Sequence, residues 1–85
     1  MPVLSTFYGI IIYIYAREHN PPHIHAKYQG QEIAIDLDGE VLEGKLPKKQ
    51  LRLVQAWIEL YRDEIYANWE FIQAGQEIVK ISPLR

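Results

Sequence analysis

The first apolar run of the chain, FYGIIIYIYA at residues 7–16, carries β-branched and aromatic residues at both odd and even positions. This pattern is typical of a strand that is covered on both faces, or of an edge that a partner later covers. Gly9 interrupts the run, and a glycine inside a strand often marks a bulge or a close backbone approach. The run therefore predicts a first strand with an irregularity near its beginning.

A loop and two alternating segments follow this run. The loop REHNPP, residues 17–22, contains two consecutive prolines, which remove two backbone donors and keep the loop rigid. The segments HIHAKY at residues 23–28 and EIAIDL at residues 32–37 both alternate polar and apolar residues. Because Gln29 and Gly30 suit a tight turn between them, these segments predict a β-hairpin.

A two-residue turn also fixes the register of this hairpin. It pairs Lys27 with Glu32, Ala26 with Ile33, His25 with Ala34, Ile24 with Ile35, and His23 with Asp36. One face of the hairpin is then apolar. The other face collects the polar side chains, which are His23, His25, Lys27, Glu32 and Asp36.

The second half of the chain is predicted to be helical. Asp38 and Gly39 turn the chain into a short strand at residues 40–42, and Pro47 suits the first turn of a helix. Apolar residues then recur at spacings of three and four, which predicts an amphipathic helix on the sheet: Leu51, Val54, Ile58, Tyr61 and Ile65.

Two arrangements fit the end of this helical half. Asn68 caps a second short helix over residues 69–74 that Gly75 ends, or one bent helix runs through. Residues 77–84 alternate weakly, which favours a last strand or an arm that docks on a partner. The predicted fold class is α+β, a single domain over residues 1–85: an antiparallel β-meander of three to four strands packed against one long amphipathic helix plus a short C-terminal helix.

Composition and charge narrow the classes of function. The chain has no cysteine, which excludes disulfides and thiolate chemistry, and its net charge is -2, which argues against a uniformly basic nucleic-acid binder. The ten-residue apolar run is too short to span a bilayer, so we expect a cytoplasmic protein without membrane contact. One basic cluster at the start of the helix is a weak candidate for contact with nucleic acid: Lys45, Lys48, Lys49 and Arg52.

All three histidines lie within seven positions, as His19, His23 and His25. Imidazoles two residues apart on a strand stand about 6.5 to 7 Å apart at Cα, so His23 and His25 suit a divalent transition metal, with His19 or Asp36 as a third ligand. The same face also suits metal-free proton transfer, in which Asp36 orients His23, His25 or His19 is its partner and Lys27 supplies a positive charge. A third interpretation is structural, with the histidines rigidifying the loop and the polar face simply solvated.

Several motifs together resemble a small bacterial family catalogued as a domain of unknown function: FYGI at residues 7–10, HNPPHIH at 19–25, Tyr28 with Gly30, LEGKLP at 42–47 and NWE at 68–70. The resemblance runs nearly end to end. It implies one half of a two-gene module, encoded beside another small domain and suspected of belonging to toxin-antitoxin pairs or of acting as a regulator.

The resemblance therefore favours a component of a toxin-antitoxin-like pair. Such a component acts through contact with a protein partner encoded nearby or with a second copy of itself, and through contact with RNA or its cleavage at the histidine site. A metal-binding module and a non-enzymatic adaptor or regulator remain the alternatives, and the sequence leaves open whether the protein is an enzyme.

Overall fold

The computed structural model describes residues 2–85. Over these residues the chain forms five strands and then one helix: β1 (Val3–Phe7), β2 (Ile10–Tyr13), β3 (His23–Tyr28), β4 (Gln31–Asp36), β5 (Val41–Gly44) and α1 (Lys48–Gln73). The strands neighbour one another in chain order and are antiparallel throughout, so the sheet is a meander. The α+β class is confirmed, whereas the predicted three to four strands are too few.

The extra strand arises because residues 7–16 are not one strand. Phe7 ends β1, Tyr8 and Gly9 form a two-residue turn, and Ile10 begins β2. Both turn residues have positive φ, 50° for Tyr8 and 78° for Gly9, as tight hairpin turns of type I′ require. The irregularity expected at Gly9 is therefore a reversal of the chain.

The predicted β3–β4 register is confirmed at every pair, from His23 opposite Asp36 to Tyr28 opposite Gln31. The next strand, β5, was predicted at residues 40–42 and lies at Val41–Gly44. Gly44 has φ 78°, and a Cβ at this position would overlap the backbone carbonyl oxygen of Glu32 on β4. Only glycine therefore allows β5 to approach β4 this closely.

The core lies between one face of the sheet and α1. The apolar hairpin face and the apolar stripe of the helix meet there, and their side chains are almost fully buried: Ile24, Ile33, Ile35, Val54, Trp57, Ile58 and Ile65. The opposite face of the sheet carries His25 and Lys27. The predicted amphipathic helix on the sheet is thus confirmed.

The predicted second helix is not formed, and the bent continuous helix is correct. The helix α1 runs through to Gln73, with a kink at Tyr61 where φ is -121° and ψ is 22°. Gly75 terminates the helix just beyond this point, since the amides of Gly75 and Gln76 donate to the carbonyls of Ile72 and Phe71 at 3.2 and 2.8 Å. This pair of bonds is a Schellman ending, as the glycine predicted.

The C-terminal tail, residues 76–85, packs as irregular chain on the protein's own body. The side chain of Asn68 binds the backbone of Val79, and the indole of Trp57 donates to the carbonyl of Ser82 at 2.8 Å. The amide of Ile81 donates to the carbonyl of Leu4 on β1 at 2.9 Å. The predicted last strand is therefore absent from the described residues, and Asn68 anchors the tail instead of capping a helix. Within residues 2–85, no helix has the length and apolarity needed to cross a membrane.

Candidate metal centre

Three potential metal ligands converge at the beginning of β3. They are Glu18, His23 and His25, and one ligand atom from each lies within 4.8 Å of the other two. The Oε1 atom of Glu18 is 3.4 Å from Nε2 of His23 and 2.5 Å from Nε2 of His25. The two imidazole nitrogens therefore face the same carboxylate oxygen.

Strand geometry and loop geometry both contribute to this convergence. His23 is the first residue of β3 and His25 lies two positions further, so period-two alternation places both on one side of the strand. The imidazole rings have centroids 5.3 Å apart. Glu18 belongs to the loop between β2 and β3, which turns at Arg17 with φ 62° and returns the carboxylate to the strand it precedes.

A backbone hydrogen bond sets the orientation of His23. Its Nδ1 atom lies 2.8 Å from the carbonyl oxygen of Pro21, and because a carbonyl only accepts, Nδ1 carries the proton. In the neutral imidazole, Nε2 is then a bare acceptor that points toward Glu18. The ring also packs against Trp69, with centroids 5.3 Å apart, so the side chain is held on two sides.

Two tyrosines of the β2 region hold the ring of His25. Tyr13 stacks on it with centroids 5.3 Å apart and an interplanar angle of 15°, and Tyr15 approaches edge-on at 5.0 Å. Burial raises the pKa of Tyr13, and the neighbouring Glu32 carboxylate raises it further, so its phenol stays neutral. The aromatic rings of Tyr13 and Tyr15 therefore fix the orientation of the His25 imidazole.

The cluster is largely shielded from solvent. The side chains of His23, His25 and Glu18 are 10%, 13% and 27% exposed. Zinc binds nitrogen and carboxylate oxygen at about 2.0–2.1 Å, so tetrahedral ligands stand about 3.3 Å apart. The His23–Glu18 separation already fits this value, and the His25–Glu18 separation needs to open by about 0.8 Å. Of these two separations, only the Glu18–His25 contact therefore has to widen to admit an ion.

The structure separates the predicted site residues into two groups. His23 and His25 belong to the cluster. Asp36 stands opposite His23 in the register, yet its Oδ1 atom accepts the amides of Asp38 and Glu40, both at 2.9 Å, and so closes the turn between β4 and β5. His19 is exposed and lies outside the group of converging ligand atoms.

The predicted cationic residues lie outside the cluster too. Lys27 is exposed and stands opposite Glu32, two positions beyond His25 along β3. The four residues of the basic cluster are also exposed and lie around the start of α1: Lys45, Lys48, Lys49 and Arg52. None of these cations belongs to the group formed by Glu18 and the two histidines.

Sequence reasoning missed Glu18. The signal was present, because a carboxylate stands five residues before His23 in the loop already noted for its prolines. Periodicity assigns no face to a loop residue, however, so only the returning path of the loop reveals that Glu18 meets the histidines.

Comparison with known proteins places the chain in a family. The model of the family described as Domain of unknown function (DUF4160) matches residues 9–70, well over half of the chain. The chain therefore belongs to this family, and the expectation of a domain of unknown function is confirmed over these residues. No curated protein and no solved structure matches the chain.

Proposed function

We propose that this member of the family is a metal-binding protein whose Glu18, His23 and His25 together bind one divalent transition metal ion. The observation that carries the proposal is the approach of three ligand atoms of different side chains to within 4.8 Å of one another. Imidazole nitrogen and carboxylate oxygen are ligands that zinc and the neighbouring first-row metals accept.

The neutral form of His23 favours a cation in this cluster. In that form the proton is on Nδ1, bound to Pro21, and the bare Nε2 atom faces the Oε1 atom of Glu18 at 3.4 Å. Two acceptors face each other there without a proton of their own between them. A metal ion resolves this opposition, and a backbone carbonyl on the remaining imidazole nitrogen is the usual outer support of a metal-binding histidine.

Three protein ligands also leave room for chemistry. A tetrahedral zinc ion held by three side chains keeps its fourth position for water or another ligand, as catalytic zinc sites do, whereas closed structural sites use four protein ligands. Metal-bound water is readily deprotonated near neutral pH. The ligand set therefore supports an open centre, and a hydrolytic role is the reaction class that such a centre serves.

The proposal is tested by titrating zinc into chelator-stripped protein and following both the binding heat and the fluorescence of Trp69, whose indole packs on His23. We expect one ion per chain. Glu18→Gln, which keeps the size of the side chain but removes its charge, and His23→Ala should each weaken binding at least about 100-fold. His19→Ala is the matched control, because His19 belongs to the same loop region but lies outside the cluster.

Two outcomes would sink the metal assignment. The first is an absence of zinc, nickel, iron or manganese uptake by folded protein. The second is a His19→Ala variant that loses as much affinity as His23→Ala. The first result would leave the cluster a metal-free role, in which the Glu18–His25 pair transfers a proton or fastens the loop. The second result would make His19 a ligand and refute the proposed set of three ligands.

The second proposal concerns a protein partner, as expected of a component of a toxin-antitoxin-like two-gene module. Its support is β5, which has only β4 as a neighbouring strand within residues 2–85 and exposes Val41 and Leu42 by 39% and 46%. A free edge of this kind can accept a strand from another chain. Size-exclusion chromatography with and without the protein encoded beside it tests this: a heterocomplex supports the module, and two separate monomeric peaks oppose it.

A further inference from the structure

A second site candidate is a groove of about 540 Å³ at the far end of β3. Tyr28 ends the strand that His23 begins, and five residue steps of about 3.3 Å separate them by roughly 17 Å. The groove is thus distant from the metal cluster. Its volume lies within the range of roughly 300–1,000 Å³ that is typical of small-molecule sites.

Aromatic side chains line one part of this groove. Tyr8 and Tyr28 both contribute to it, and Tyr8 is 60% exposed. The ring of Tyr28 lies beside Gly9, where a Cβ would be in ordinary van der Waals contact with its Cε1 atom at 3.4 Å. An exposed tyrosine ring is a stacking surface for a flat ligand, and Leu53 and Leu84 add apolar lining beside the two rings.

The charged side chains of the groove are all cationic. Lys49, in the first turn of α1, and Arg85 line it, and no Asp or Glu does. Neither cation belongs to an ion pair among residues 2–85. A groove that presents unpaired positive charge in a chain of net charge -2 selects for an anionic ligand.

We propose that this groove binds a nucleotide, with the base stacked on the exposed ring of Tyr8 and the phosphate held by Lys49 and Arg85. A nucleotide can make both kinds of contact that the lining residues offer. Its base has a π-face that stacks on a tyrosine ring, and its phosphate has ionised oxygens that Lys and Arg bind. The ligand is either a free mononucleotide or one unit of a single-stranded nucleic acid. This site is independent of the metal centre.

The turn at Tyr8 supplies an unusually clean variant. Tyr8 and Gly9 form a type I′-like turn with positive φ at both positions, and Asn-Gly is the pair that such turns prefer. Tyr8→Asn therefore removes the ring while it favours the turn, so loss of folding does not confuse the result. Tyr8→Phe keeps the ring and is the matching conservative variant.

The experiment measures binding of adenosine 5′-monophosphate and of a ten-nucleotide oligoadenylate RNA, by calorimetry and fluorescence anisotropy respectively, with EDTA present. The chelator removes metal ions, so that binding at the metal centre does not contribute to the measured affinity. We expect Tyr8→Asn to weaken binding at least about fivefold, as loss of one stacked base does, and Tyr8→Phe to retain it. Lys49→Ala should weaken binding and make it less salt-dependent, whereas its exposed neighbour Lys48→Ala, outside the groove lining, should not.

The two probes also distinguish the sources of the nucleotide. An RNA oligomer that binds at least about 100-fold more tightly than the monophosphate identifies a single strand as the ligand, and comparable affinities identify the free nucleotide. Binding of neither probe at millimolar concentration overturns the proposal. So does binding that Tyr8→Asn and Lys49→Ala leave at the wild-type level.

Discussion

Asn68→Ala is the substitution whose cost the structure allows us to work out most closely. Asn68 is 2% exposed, and its side chain makes three hydrogen bonds: Nδ2 donates to the carbonyls of Glu64 and Val79, both at 3.0 Å, and Oδ1 accepts the amide of Val79 at 2.7 Å. Two of the three fasten the C-terminal tail to α1.

Three lost hydrogen bonds cost about 1.5–4.5 kcal/mol in free energy of unfolding, at roughly 0.5–1.5 kcal/mol each. Two effects reduce this cost. Alanine favours the helix over asparagine by up to about 0.7 kcal/mol, and Val79 is 62% exposed, so water can recover part of its backbone bonding. We expect a net loss of about 2 kcal/mol.

Urea unfolding, followed by circular dichroism, measures this loss, and hydrogen exchange at the amide of Val79 locates it. The amide should exchange faster in Asn68→Ala because its acceptor is gone. Gln73→Ala is the control, an exposed substitution on the same helix that should change the free energy of unfolding by less than about 0.5 kcal/mol. An Asn68→Ala variant as stable as this control, with Val79 still protected, would refute the reasoning.

Three further substitutions test other parts of the account by urea unfolding. Gly44→Ala should lower the free energy of unfolding by about 3 kcal/mol or more, because its Cβ would overlap the Glu32 carbonyl oxygen. Gly30→Ala also has positive φ but open space around it, so it should lower the free energy of unfolding by only about 1–2 kcal/mol. Equal losses for the two variants would contradict the steric argument. Ile24→Ala should cost about 2–5 kcal/mol as a fully buried side chain is truncated, and a loss below 1 kcal/mol would mean that the core is not packed as described. Asp36→Ala should cost about 1–2 kcal/mol through its two turn hydrogen bonds while zinc affinity stays unchanged; a large loss of affinity would make Asp36 a ligand after all.

The hairpin register was predictable because it rests on local information. Polar and apolar residues alternate strictly in β3 and β4, and Gly30 marks the turn between them. Only one pairing then keeps the polar and apolar faces separate, and this pairing places His23 opposite Asp36. The turn at Tyr8 was not predictable in the same way. Tyrosine is a bulky residue that rarely adopts positive φ, so its sequence signal is that of a strand.

The candidate site was predictable only in part for a related reason. Period-two alternation places His23 and His25 on one side of β3, whichever loop precedes them. The third ligand depends on the path of that loop. Asp36 was predicted as a ligand because it pairs with His23 in the register. Its carboxylate instead accepts the amides of Asp38 and Glu40, and Glu18 of the loop contacts the histidines.

The most direct test of the metal centre is a crystal structure of zinc-saturated protein, with anomalous scattering recorded at the zinc absorption edge. We predict one strong peak about 2.0–2.1 Å from the Nε2 atoms of His23 and His25 and from a carboxylate oxygen of Glu18, with the direct Glu18–His25 hydrogen bond replaced. An intact Glu18–His25 bond in the saturated crystal, with zinc elsewhere or on the surface, would contradict the proposed centre.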